Sequence, residues 1–208
     1  ENSQDRLRAI TALRGYEPDV AVPLLLDRLD DSEFMVRSFV AMGLGRKRSP
    51  QAYDALLRLL QADPDPNVRA EAANSLALYG ESSLPHLVRS FREDDHWLLR
   101  RSIQAAVTDM KAYDALFEIS HIALDGEDDT VRTTAISCFA FLSESPRRAE
   151  ALQAILALTE DEVWFVRVSV ARALKAFSGE DAARAALLRF KEDDDHRVVG
   201  AALESLMM

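Results

Sequence analysis

A valine or leucine followed by arginine recurs along the chain at a nearly constant interval: Val36-Arg37, Val68-Arg69, Leu99-Arg100, Val131-Arg132 and Val166-Arg167. Successive arginines are 32, 31, 32 and 35 residues apart. The register runs back 31 residues to Arg6 and forward 32 to Val199, where the arginine is absent. An interval of this size marks stacked repeats, in which one small unit is laid against copies of itself. Three residues after the register position stand Ala9, Val40, Ala72, Ile103, Ala135, Val170 and Ala202. Seven after it stand Leu13, Leu44, Leu76, Val107, Phe139, Leu174 and Leu206. With the apolar residue before the arginine, these fall at steps of four and share one helix face.

An acidic turn precedes each of these helices after the first: Asp30-Asp31, Asp63-Pro64-Asp65-Pro66, Glu93-Asp94-Asp95, Glu127-Asp128-Asp129, Glu160-Asp161-Glu162 and Asp193-Asp194-Asp195. Short carboxylates there can accept from the free N–H groups of a helix start and suit its positive end. Further upstream lies a second apolar stripe, as in 22–29, 55–60, 84–91, 115–123, 152–158 and 183–190. Pro23 and Pro85 fall near the predicted starts of two of these stripes, where proline is tolerated. Each unit therefore reads as a first helix, an acidic turn and a second helix. Only seven glycines interrupt the pattern. The predicted fold is all-α, an α-solenoid of six helix pairs preceded by a half repeat.

The pattern resembles the HEAT family, and more narrowly the short HEAT-like repeats first noted in phycobilisome lyases. Pro23-Leu24-Leu25, Asp30-Asp31, Val36-Arg37, Ala41 and Leu44-Gly45 carry the resemblance. They recur as Leu56-Leu57, Asp65, Val68-Arg69, Ala72-Ala73 and Leu76. The resemblance spans essentially residues 1–208 as a single repeat domain. It implies a right-handed solenoid whose second helices line a concave face. The chain opens with glutamate, inside a second helix that no first helix precedes, and so reads as part of a longer array.

Charge narrows the partners. Acidic residues number 35 against 25 basic ones, a formal net charge of −10. Nucleic acid requires a basic stripe to replace counterions, so a nucleic-acid partner, including the HEAT-type DNA glycosylase reading, is not expected. The compact basic run Arg46-Lys47-Arg48 follows a predicted helix end, where cations complement the dipole. A single cysteine, Cys138, precludes an internal disulfide and a multi-cysteine zinc site. No apolar run is long enough to cross a bilayer, which points to a reducing cytoplasmic setting without membrane insertion.

No catalytic constellation stands out: there is no phosphate loop, nucleophile elbow or paired cysteine motif. Metal-binding HEAT-type hydroxylases carry adjacent His-Glu pairs, and none occurs among His86, His96, His121 and His196. No cofactor, metal or catalytic residue is predicted. The arginines at 37, 69, 100, 132 and 167 read as a structural ladder, because a residue seen in every unit cannot encode one site. Departures from the repeat carry more information. Phe34, Trp97 and Trp164 stand three residues before the register arginine, where other units have Pro66, Asp129 and His196. Each reads as a hydrophobic staple at its helix start or as a partner anchor. Phe39, Met42, Arg101 and Arg172 are exceptional on the second-helix face. The interval holding Glu144-Ser145-Pro146-Arg147-Arg148 is three residues longer than the others and reads as a bend or contact point. These residues predict a non-enzymatic scaffold for another protein. The alternatives are a bilin lyase or phycobiliprotein chaperone, which would also hold a tetrapyrrole, and a metal-cluster assembly partner using Cys138.

Overall fold

The computed structural model describes residues 2–207. Thirteen α-helices occur among the described residues, and no strand does. The leading half repeat is α1 (Ser3–Ala12). Six pairs follow: α2 (Pro18–Leu26) with α3 (Phe34–Lys47), α4 (Pro50–Ala62) with α5 (Pro66–Ala77), α6 (Leu84–Glu93) with α7 (Trp97–Asp109), α8 (Tyr113–Leu124) with α9 (Asp129–Phe141), α10 (Arg148–Leu156) with α11 (Trp164–Leu174), and α12 (Asp181–Arg189) with α13 (His196–Leu206). No helix among the described residues is long and apolar enough to cross a membrane.

The chain forms two compact units, one ending at Met110 and the other beginning at Lys111. In the first, α3 packs on α1 and α5, and α5 on α7. In the second, α11 packs on α9 and α13. The arithmetic of the repeat sets these contacts. The trios Val36/Val40/Leu44, Val68/Ala72/Leu76, Leu99/Ile103/Val107, Val131/Ala135/Phe139 and Val166/Val170/Leu174 are each at most 1% exposed. A buried leucine or valine of this kind stabilises by about 1.5–3 kcal/mol relative to an exposed one. The stripe repeats, so each helix finds the same apolar face on its neighbour.

Helix ends follow local chemistry. Asp65, Asp128 and Asp195 cap α5, α9 and α13, accepting from the backbone N–H groups of Asn67, Val131 and Arg197. His96 does the same for α7 through Nδ1, while α3 and α11 have no side-chain cap. Pro18, Pro50, Pro66 and Pro85 occupy first-turn positions. Pro23 does not: α2 begins at Pro18 rather than near residue 22, which leaves Pro23 in its interior. The N–H lost there would have bonded Asp19, in the first turn of a nine-residue helix. The α3–α5 approach is close enough that a Cβ on Gly45 would lie 2.6 Å from Ser75 Cβ.

Candidate functional site

Five register arginines, Arg6, Arg37, Arg69, Arg132 and Arg167, are each joined to an aspartate of the next acidic turn. Arg37 forks onto Asp63, with Nε to Oδ2 at 2.7 Å and Nη2 to Oδ1 at 2.9 Å, and its Nη1 donates to the Asp31 carbonyl at 2.8 Å. Arg167 does the same to Asp193, at 2.8 and 2.9 Å, and to the Asp161 carbonyl at 2.7 Å. Arg6 meets Asp31, Arg69 meets Asp94 and Arg132 meets Asp161. Each of these carboxylates has a second duty. Asp31, Asp63, Asp94, Asp161 and Asp193 also accept the backbone N–H two residues on, which shapes their own turn. Arg167 holds the Asp193 carboxyl below its ordinary range, and the Asp195 N–H adds to the effect. Burial pushes the Asp31 carboxyl up, but Arg6 and the Glu33 N–H together outweigh it.

Arg100 differs. It donates to the carbonyls of Phe91 and Asp94, and its guanidinium lies 5.3 Å above the Phe91 ring. The aspartates of the rungs lie six residues before the next register position, and at that place before Arg132 the sequence has Gly126. The exception is legible in the chain, but only once the carboxylate's offset is known.

The edge aromatics begin their helices and stay exposed: Phe34 at 39%, Trp97 at 44% and Trp164 at 36%. They are not buried staples. Trp97 stacks loosely on His96, while Trp164 lies under the Arg197 guanidinium, 3.2 Å from the ring centroid. Phe34 and Trp97 are not neighbours, because α5 lies between their helices and begins with Pro66. Arg101 is exposed on α7. Arg172 borders a shallow depression between α9 and α11 with Thr133, Thr134, Ser137 and Ser169. Those hydroxyls donate to carbonyls four residues back in their own helices. Phe39 and Met42 line an apolar hollow beside α1. The longer interval is a brace within the second unit. Arg147 pairs with Asp114 at 2.7 Å and lies over Phe117, and Arg148 pairs with Glu180 at 3.1 Å and lies over Phe177.

A cleft of about 360 Å³ opens between the acidic turns that precede α11 and α13. Asp161 and Asp193 at its base belong to rungs, but Glu160, Glu162, Glu192 and Asp194 also line it and are exposed. Arg189 stands at the same cleft. Reading each acidic turn as a helix cap does not reveal this, because the two carboxylate groups are about one repeat apart in sequence and meet only through stacking.

Among the described residues, no group of three or more histidine, cysteine or acidic side chains is placed to hold a metal ion. His86 meets the edge of Tyr53, His121 packs against Phe117 and Phe139, His96 caps its helix and His196 begins α13. Cys138 is 6% exposed. A metal-cluster role for it does not stand, since the thiol is buried and belongs to no metal-binding group among the described residues.

Stacked helix pairs with an arginine–aspartate register define a HEAT solenoid. HEAT repeats match residues 1–61, 22–108 and 118–207, and the chain belongs to that family. It is 30% identical over 124 residues to deoxyhypusine hydroxylase-B of Oryza sativa, covering 56% of this chain and 41% of that protein. It is 30% identical over 105 residues to the deoxyhypusine hydroxylase of Rattus norvegicus, covering 50% and 35%. The chain thus spans less than half the length of these curated relatives. Its fold is similar to the complex of CpcE and CpcF of phycocyanin lyase from Nostoc, with a TM-score of 0.52, 20% identity, and coverage of 97% and 89%. At that identity the likeness is one of fold. The hydroxylase relatives overturn the expected non-enzymatic scaffold, and they do not support the bilin-lyase alternative with its tetrapyrrole. The lack of a recognisable catalytic motif does not make a scaffold, since enzymes are found among the relatives of this chain. The metal ligands expected of HEAT-type hydroxylases do not fit the residues present: no His-Glu pair occurs in the sequence, and the four histidines are separately engaged or separately placed.

Proposed function

We propose that this chain is a substrate-recognition segment of a hydroxylase-related HEAT protein, and that it captures a basic side chain of a protein substrate. Its relatives are named for hydroxylating deoxyhypusine, a basic, amine-bearing amino acid. The observation that carries the reading is the cleft at residues 159–194, where four exposed carboxylates stand beyond the two engaged by rungs. An ammonium group entering there meets fixed negative charge on two sides, and the Arg167–Asp193 rung keeps the walls in place. With no fitting metal ligands among the described residues, the assignment is to capture and not to the oxidation step.

The test is binding of a deoxyhypusine-bearing basic peptide to the purified chain, beside the same peptide carrying glutamates in place of its basic residues. The expected result is salt-sensitive binding of the basic peptide alone, weakened about tenfold in Glu162→Gln/Glu192→Gln/Asp194→Asn. Equal binding of both peptides, or unchanged affinity in the triple variant, overturns the proposal.

A further inference from the structure

Within the first unit, the ends of α1 and α2 and one side of α3 surround a hollow of about 180 Å³. Ile10, Leu25, Phe39 and Met42 supply its apolar wall. Its mouth is basic: Arg14, Arg46 and Lys47 line it, and no carboxylate does. The Lys47 ammonium donates to the carbonyls of Arg14, at 3.1 Å, and Tyr16. Two neutral carbonyls fix the ammonium in place without cancelling its charge. Arg14 and Arg46 are exposed. Glu71, on α5, feels the Arg46 charge, but it is half-buried, and that burial pushes its carboxyl up.

The repeat does not require this arrangement. Phe39 and Met42 stand two and five residues after the register arginine. The same places hold Glu71 and Asn74, Thr134 and Ser137, and Ser169 and Arg172 in other units. In a chain of net charge −10, three cations around an apolar hollow form a local inversion of the surface. A large apolar side chain would remove the wall from water, and carboxylates beside it would meet guanidinium forks.

We propose that this hollow docks an acidic segment of a partner protein, with one large apolar side chain against Phe39 and Met42 and flanking carboxylates on Arg14, Arg46 and Lys47. The site is independent of the acidic cleft at residues 159–194, and either can fail without the other. The probe is a fluorescein-labelled peptide with one phenylalanine between runs of glutamate, followed by anisotropy. Two controls replace its phenylalanine by alanine or its glutamates by lysine. The glutamate–phenylalanine peptide is expected to bind more tightly than either control. Arg14→Gln/Arg46→Gln should weaken it about tenfold with an unchanged melting temperature, since both side chains are exposed, and Met42→Ala should weaken it severalfold. Equal binding of the alanine control, no binding of the peptide, or unchanged affinity in the arginine variant overturns the proposal. Self-association of the chain, seen by sedimentation and abolished by Arg14→Gln/Arg46→Gln, would overturn it in favour of a second copy as occupant.

Discussion

At the scale of single residues, the aspartate of each rung is more consequential than the arginine that announces the repeat. Asp63 receives both arms of Arg37 and also the Asp65 N–H, and its side chain is 3% exposed. Removing it leaves a buried guanidinium without its counter-charge and frees a turn. Asp63→Ala is expected to destabilise by about 3 kcal/mol, near the lower end for breaking a buried pair from one side. Arg101→Ala, on an exposed helix face, should stay within about 0.5 kcal/mol. Denaturant unfolding of the two variants checks both expectations. The same rungs set the acid limit. Arg167 depresses the Asp193 carboxyl in the folded chain, so this contribution is fully present above the unfolded carboxylate range, about pH 4, and is lost as pH falls through the lower folded value. Asp193→Asn should be less stable at neutral pH and lose less than the parent on acidification below about pH 4, which pH-dependent melting would show.

At the scale of the helix, spacing decides the sign of a substitution that looks uniform in sequence. Glycine to alanine favours a helix by about 1 kcal/mol where there is room. Gly200 in α13 has nothing within 4 Å of a built Cβ, so Gly200→Ala should stabilise by about 0.5–1 kcal/mol. Gly45 in α3 faces Ser75, with backbone Cα at 3.0 Å behind the side chain at 2.6 Å. Overpacking there costs about 1–3 kcal/mol, so Gly45→Ala should destabilise despite its propensity gain. Thermal unfolding of the two variants should move in opposite directions. The helix pairs themselves were legible because the places one before, three after and seven after the register arginine recur with apolar residues. Their starts were less so: Pro23 reads as a first-turn proline, yet α2 begins at Pro18. Local preference places proline near a helix start, while Pro18 provides an earlier start with the same chemistry. The apolar hollow could not be read directly, because Ile10, Leu25 and Met42 meet only after three helices pack.

At the scale of the whole chain, the repeat is both the clearest signal and the reason function is hard to read. Residues that stacking needs must look alike in every unit, so they mark fold and mask sites. The acidic cleft illustrates this: its carboxylates belong to turns that each make sense as caps or rung partners. Stability in such an array is a sum of units and their neighbouring interfaces. Asp193→Ala should therefore accelerate amide exchange in α11–α13 while protection in α3–α5 stays as in the parent, measured by hydrogen exchange with mass spectrometry. The rungs also have a direction. Arg37 precedes its carboxylate by 26 residues, and Arg167 precedes its own by the same distance. On a ribosome adding about 5–20 residues per second, each arginine waits one to several seconds for the aspartate that completes it. The rungs thus become available for closure in the order of synthesis, and a rung arginine in the newest repeat faces a carboxylate that has not yet been made.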